Sequence, residues 1–355
     1  MESGKILDCM ELSKRFVSKQ PSNPILSVYN SEASDDSRNA EIIKRVKNIG
    51  LKNWQSSDDN RRKGIIRSIP DIAKGHSKGD LKKNRYYVVL RSDGDRISKI
   101  IESLSPDKIR DFSQKCMKYC SDIANKLHKV YGGVTIYAGG DDLLALMPVE
   151  YEGKNIFEFT KEANEDFQTA FKEFNQDISL SFGILVAYEN FPLYEALEKS
   201  AYLLFGVAKK VKNCVAICFQ KHSRQSEDLI IPNKDMQAYI DFHDKCIKNT
   251  SPDTDEKVIY SAMHKFALFK SIFDSAENTE LENLFKNIFD GDGQKNNDFL
   301  QKYLYEFFLK LKNELNISVI TGREKGEGDL KSYALKMEYI LRIIKFFKEK
   351  AGDRE

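Results

Sequence analysis

Two textures of apolar positions divide this chain. From Tyr86 onward come short, continuous runs rich in β formers: 86–90, 134–138, 143–147, 179–187 and 215–219. Runs of that length and composition predict buried strands. Between them the apolar spacing is helical. Ser105-Pro106-Asp107 reads as an N-cap followed by a first-turn proline, opening a helix that runs to about Tyr131. Phe157, Ala163, Phe167, Phe171 and Phe174 mark a second helix, and residues 193–211 a third behind Pro192. The predicted order is β-α-β-β-α-β-α-β. Its first six elements form the ferredoxin-like pattern found in the palm of polymerases and nucleotide cyclases. The two strands at 134–138 and 143–147 are joined by Gly139-Gly140-Asp141-Asp142, which places that tetrapeptide at a hairpin tip.

After Gln220 the texture changes. Residues 222–228 read as a polar linker, and helical period then dominates near 236–248, 256–273, 280–289, 297–315 and 329–350. Breaks fall at 251–253, 291–293 and 321–328. Upstream, Ile42, Ile43, Val46 and Ile49 predict one amphipathic helix over residues 40–51, and residues 56–83 read as a basic, loop-like connector. The expected class is α+β: a poorly defined N-terminal segment (1–84), a ferredoxin-like palm domain (85–221) and an all-α C-terminal domain (229–355).

Composition narrows the function. The chain has 355 residues, with 56 Lys+Arg against 54 Asp+Glu, a formal charge of +2 and 41% apolar residues. That is enough apolar matter for real cores, and no global basic field marks it as a general nucleic-acid binder. There is no apolar run of membrane-spanning length, and the polar N-terminus leads into no signal-peptide core, so the expected location is cytoplasmic, off the membrane. The six cysteines are scattered without a C-x₂-C pair, which favours reduced, buried thiols over a zinc site.

The candidate chemistry lies in Asp93-Gly94-Asp95, after the first strand, and in Asp141-Asp142 at the hairpin tip. In a β-α-β-β unit the first strand is central and pairs with the hairpin, so its end and the tip share one sheet edge. Carboxylates gathered there repel one another unless divalent cations sit between them. Asp93, Asp141 and Asp142 are therefore the candidate catalytic and Mg²⁺- or Mn²⁺-binding residues, for chemistry on a nucleotide triphosphate. Gly139 and Gly140 leave room for a nucleotide against the backbone. Gly94, Asp95 and Arg96 lead into a helix start whose N–H groups face phosphate oxygens. Lys209 is the candidate for the terminal phosphates, with Lys210 as the alternative. The dipeptide His243-Asp244 falls in a predicted helix and is read as coincidence.

Four segments in order carry a family likeness: Leu90-Arg-Ser-Asp-Gly-Asp-Arg-Ile-Ser-Lys99, Tyr137-Ala-Gly-Gly-Asp-Asp-Leu-Leu-Ala145, Leu180-Ser-Phe-Gly-Ile184 and Ala208-Lys-Lys-Val-Lys-Asn213. Together they resemble the large, polymerase-like subunit of type III CRISPR effector complexes, its Cmr (III-B) branch above all. The resemblance implies a palm that uses ATP to make oligoadenylate messengers, usually cyclic, once target RNA is bound. It implies as partners the other effector subunits, the guide RNA and the target RNA. Asp93, Asp141 and Asp142 would hold the metals, and Ser181, on the strand beside them, is given no catalytic role. The family's large subunit usually begins with a nuclease domain, a further palm and a zinc module, which 84 residues cannot hold. The expectation is a truncated or split subunit without DNA cleavage. Ile97-Ser98 also replaces the small pair that usually follows the Asp-Gly-Asp segment.

Three other readings compete. A diguanylate cyclase shares the sheet, but here the tip continues Asp142-Leu143-Leu144 rather than Glu-Phe. A scaffold without chemistry gains nothing from clustered carboxylates. The same palm joining AMP to S-adenosylmethionine is left open by the sequence.

Overall fold

The computed structural model describes residues 68–75, 81–175, 177–220, 226–248, 252–289, 297–320 and 331–348. The helix expected over residues 40–51 and the break over 321–328 lie outside them. In chain order the palm region contains α1 (Ile69–Lys74), β1 (Tyr86–Gly94), α2 (Ile97–Glu102), α3 (Pro106–Tyr131), β2 (Val134–Gly139) and β3 (Asp142–Pro148). A small ribbon of β4 (Glu150–Tyr151) and β5 (Lys154–Asn155) precedes α4 (Ile156–Phe171), β6 (Leu180–Tyr188), α5 (Leu193–Ala201) and β7 (Cys214–Gln220). There follow β8 (Ser226–Pro232), α6 (Met236–Lys248), α7 (Pro252–Leu268), α8 (Lys270–Ser275), α9 (Asn278–Phe289), α10 (Asn297–Asn313), β9 (Ser318–Ile320) and α11 (Tyr333–Lys348).

The main sheet runs β2-β3-β1-β6-β7-β8-β9. Its first four strands, with α3 and α4, are the ferredoxin-like unit expected from the sequence. β1 is central and antiparallel to both β3 and β6, while β7 lies parallel to β6. Alternation along β1 sends Tyr86, Val88 and Leu90 to one face, against Phe112 and Ile123 of α3 and Phe159 and Phe167 of α4. Tyr87 and Val89 go to the other face, with Ile69 and Ile72 of α1 and Leu203 and Leu204.

The residues taken for a connector before Tyr86 therefore include a packed helix. α1 is only six residues long, too short for a legible period, yet Ser68 and Asp71 form a capping box and Ile69, Ile72 and Ala73 are buried. The polar linker expected over 222–228 is also corrected, because its last residues begin β8, which pairs along β7 from Gln220↔Ser226 to Cys214↔Pro232. The polar opening Ser226-Glu227-Asp228 hid a strand whose apolar half, Leu229–Ile231, is buried.

The C-terminal region is helical as expected, with one addition. β9 returns to the sheet edge and pairs with β8 at Leu229↔Val319, a strand too short to show alternation in sequence. The helices also share the palm's core: the ring of Phe346 in α11 packs edge-on to Tyr86, with centroids 4.8 Å apart, and lies 5.6 Å from Phe219. Among the described residues no helix is long and apolar enough to cross a membrane.

The helix expected over 193–211 is continuous but changes pitch. α5 passes into a π-helical segment, Tyr202–Ala208, and ends in a last turn, Lys209–Val211. Gly183 of β6 lies beneath it. A Cβ there would meet the backbone N of Leu204 at 2.3 Å and the carbonyl of Ser200 at 2.6 Å. Glycine thus lets the widened helix rest directly on the strand and carry Lys209 to the sheet edge.

Candidate active site

The register brings the end of β1 to the hairpin tip. Ser92 lies opposite Leu143 of β3, Asp93 opposite Ser181 of β6, and Gly139 opposite Asp142. The tip is a tight turn through Gly140 and Asp141, with positive φ (73°) at Gly140 but not at Gly139. One glycine at the first turn position is the type II′ pattern, so only Gly140 is needed for its φ. By strand alternation Asp93 lies on the face of Tyr87 and Val89, and Asp142 on the face of Leu146, which is the same face.

The expected carboxylates meet there. The Asp142 and Asp93 carboxyl groups lie close enough to repel each other. Although Asp142 as a residue is exposed, shielding of its carboxylate, then the charges of Asp93 and Asp141, push it up to about 7. Asp141 is raised by burial and then by Asp93, and its Oδ2 accepts a hydrogen bond from the Gly94 N–H at 3.2 Å. Lys209 enters from the other side. Its Nζ is 2.5 Å from Asp93 Oδ2 and donates to the carbonyls of Asp93 (3.0 Å) and Gly94 (2.5 Å). Lys210 is exposed at the helix end, so of the two lysines it is Lys209 that reaches the aspartates.

The remaining candidates separate. Gly94 is buried, and a Cβ on it would collide with Asp141. Arg96 is exposed, adopts a left-handed φ of 62° and starts the short α2 without a side-chain cap. Gly140 has open space around it, with no atom within 4 Å of an added Cβ, whereas Gly139 lies under the Tyr137 hydroxyl. Asp95 faces inward. It is 4% exposed, and its carboxylate accepts from Ser179 Oγ and Ser181 Oγ, each at 2.8 Å, and from the Asn213 N–H at 2.8 Å.

The donor set at the edge is all oxygen, the chemistry of a hard cation. Among the described residues no three His, Cys, Asp or Glu side chains converge into a metal-binding group on their own.

The profile of the family described as Cas10/Cmr2, second palm domain, matches residues 86–216, the stretch from the start of β1 into β7. Over those residues the chain resembles the Cas10/Cmr2 second palm domain. The CRISPR system Cmr subunit Cmr2 of Pyrococcus furiosus is 33% identical over 167 residues, covering 39% of this chain and 19% of that protein. The Csm1 structure from T. onnurineus superposes with a TM-score of 0.51 at 14% identity, over 80% of this chain and 40% of that one. Csm1 in a Csm1–Csm4 subcomplex of a type III-A CRISPR-Csm interference complex gives 0.50 at 15% identity, over 81% and 39%. These two likenesses are of fold. The chain spans well under half the length of the relatives it matches.

In this palm-like region the residues that sequence reasoning missed are the supports beneath the aspartates. Ser179 lies just before β6 and Ser181 on it, both buried among apolar neighbours, and nearly all buried polar groups have hydrogen-bond partners. Asn213 carries no local sequence signal for this contact beyond its place in the family-like segment 208–213. Cys120 of α3 donates its thiol to the Gly140 carbonyl at 3.0 Å, and burial first of all pushes that thiol up to about 11, so it stays protonated under the tip. His243 is a core side chain, 2% exposed, packed edge-on to Phe347 at 4.7 Å.

Proposed function

We propose that this palm is a divalent-metal-dependent nucleotidyl transferase that uses ATP to build oligoadenylate, cyclic or linear. It would act in the cytoplasm within a type III CRISPR RNA-guided complex, beside other effector subunits, guide RNA and target RNA. The observation that carries the reading is the meeting of Asp93, Asp141 and Asp142 with Lys209 at one sheet edge. The family match to Cas10/Cmr2 and the likeness to Cmr2 supply the CRISPR context.

Asp93 and Asp142 would hold Mg²⁺ or Mn²⁺, with Asp141 beside them. When bound, the cation neutralises the triphosphate and lowers the pKa of the attacking hydroxyl. The residues of the chain do the rest. Asp142 must ionise to serve as a ligand, and its raised pKa makes that step depend on the cation or on pH above about 7. The open backbone at Gly140 admits the nucleotide against the hairpin, and Lys209 carries the positive charge that receives the leaving pyrophosphate. A ribose hydroxyl oxygen bonds to the α-phosphorus of ATP, the bond from that phosphorus to the β-phosphate oxygen breaks, and the hydroxyl proton passes to solvent.

The test is incubation with radiolabelled ATP and Mg²⁺ or Mn²⁺, with and without S-adenosylmethionine, alone and in a reconstituted RNA-bound complex. Products that vanish in Asp141→Ala/Asp142→Ala support the reading, and their mass names the acceptor. No product in any mixture would leave a structural subunit.

A further inference from the structure

We infer that Asp95 is a positioning residue that sets Lys209 against Asp93, rather than a nucleotide ligand. Its effect on nucleotide binding rests on the function proposed above, while its hold on Lys209 does not.

Asp95 is saturated from inside the protein. Ser179 Oγ donates at 2.8 Å, Ser181 Oγ at 2.8 and 2.9 Å to the two carboxylate oxygens, and the Asn213 N–H at 2.8 Å, with Lys209 Nζ at 3.4 Å. The Asp95 N–H is used as well, donating to the Ser179 carbonyl at 2.8 Å. At 4% exposure the carboxylate presents nothing to a ligand, and a buried charge of this kind persists only with such compensation.

The contact with Asn213 matters most. Between Lys209 and β7 the chain passes through Lys212 (φ 68°) and Asn213 (φ 49°), two consecutive non-glycine residues in the left-handed region. Such a turn is strained and persists only where its surroundings hold it. Four hydrogen bonds do so: Lys212 N to the Ala208 carbonyl (2.6 Å), Asn213 N to Asp95, Asn233 N to the Asn213 carbonyl (2.9 Å), and Asn233 Nδ2 to Asn213 Oδ1 (2.8 Å). Asp95 thus pins the turn that ends the helix of Lys209 to the end of β1. Lys209 itself is 19% exposed and reaches the two carboxylates of Asp93 and Asp95. The register of the lysine relative to Asp93 is set from both sides by one buried acid.

A residue that merely helps the fold would weaken every function independently of Lys209. One that works through Lys209 would not, and a double-mutant cycle separates the two. The full chain is compared with Asp95→Asn, Lys209→Ala and the double variant. The readouts are hydrogen exchange over residues 209–214 without ligand, and affinity for the Mn²⁺ complex of a non-hydrolysable ATP analogue. The expected result is exchange at the Asn213 amide faster by about tenfold in Asp95→Asn, since only one acceptor oxygen remains for three donors, with analogue binding weaker by a similar factor. The double variant should bind no more weakly than Lys209→Ala. Unchanged exchange in Asp95→Asn, or losses that simply add in the double variant, would overturn the proposal. If Asp95→Asn does not fold, Ser181→Ala takes its place, leaving the carboxylate but removing one donor, with a smaller change of the same sign expected. Faster exchange in a protein that binds no analogue even as wild type would support the hold on Lys209 and sink the nucleotide reading instead.

Discussion

The Gly94 N–H and Asp141 Oδ2 lie 3.2 Å apart, tying the end of the central strand to the tip of the neighbouring hairpin. A Cβ at position 94 would stand 2.7 Å from that oxygen and 2.9 Å from the Asp141 Cβ, closer than side chains approach. Gly94→Ala is therefore expected to drive Asp141 away from Asp93. Overpacking of this kind costs about 1–3 kcal/mol. Thermal unfolding and turnover of labelled ATP check it together. Wild-type turnover at wild-type stability would show that the tip is held by something else.

The raised pKa of Asp142 has a consequence for stability. Its ordinary value of 3.8 moves to about 7 on folding, so the folded protein binds the proton that the unfolded chain has released. The contribution is full below 3.8 and is lost as pH rises through about 7. The ligand-free protein should lose this contribution as pH rises from 3.8 to about 7, and Asp142→Asn should remove much of that loss while abolishing nucleotidyl transfer. Tm measured against pH for the two proteins decides it. Parallel curves would mean that Asp142 is not crowded by Asp93.

Gly183 makes a sharper case, because its neighbours are backbone atoms of Leu204 and Ser200 that cannot rotate away. Gly183→Ala should lift the π-helical segment off β6 and carry Lys209 with it. The stability loss is expected near the top of the overpacking range, about 3 kcal/mol. Denaturant unfolding would show it. A variant of unchanged stability would mean that the helix slides along the strand to make room.

Phe346 tests whether the helical region and the palm unfold together. Its ring contacts Tyr86 of β1 and Phe219 of β7, so Phe346→Ala opens a hole in a core that both regions line. A phenylalanine-to-alanine change in a core costs about 3–5 kcal/mol. Hydrogen exchange should quicken in β1 and α11 alike. Loosening confined to α11 would assign the palm a stability of its own.

Much of the palm was legible because its signals are local. Continuous apolar runs marked β1, β3 and β7, the Ser105-Pro106 start marked α3 to within a residue, and the hairpin around Gly140 followed from its turn chemistry. α1, β8 and β9 were not legible, for a shared reason. Each is short or half polar, and each is held by partners distant in sequence, Val89, Val215 and Leu229 among them.

The site divides along the same line. Which residues are acidic, and that two acidic segments flank a strand and a hairpin, is written in the sequence, since strand order in a β-α-β-β unit follows from chirality and short connections. Tertiary structure alone decided that Asp95 turns inward while Asp93 does not. Asp93, on β1, and Asp95, just past its end, become unequal only when Ser179 and Ser181, at the start of β6, and Asn213, in the turn before β7, arrive beside them. It also decided between Lys209 and Lys210, through the pitch of a helix widened over Gly183. Side-chain chemistry is a property of single residues, but partnership belongs to contacts far apart along the chain, and those exist only once it is folded.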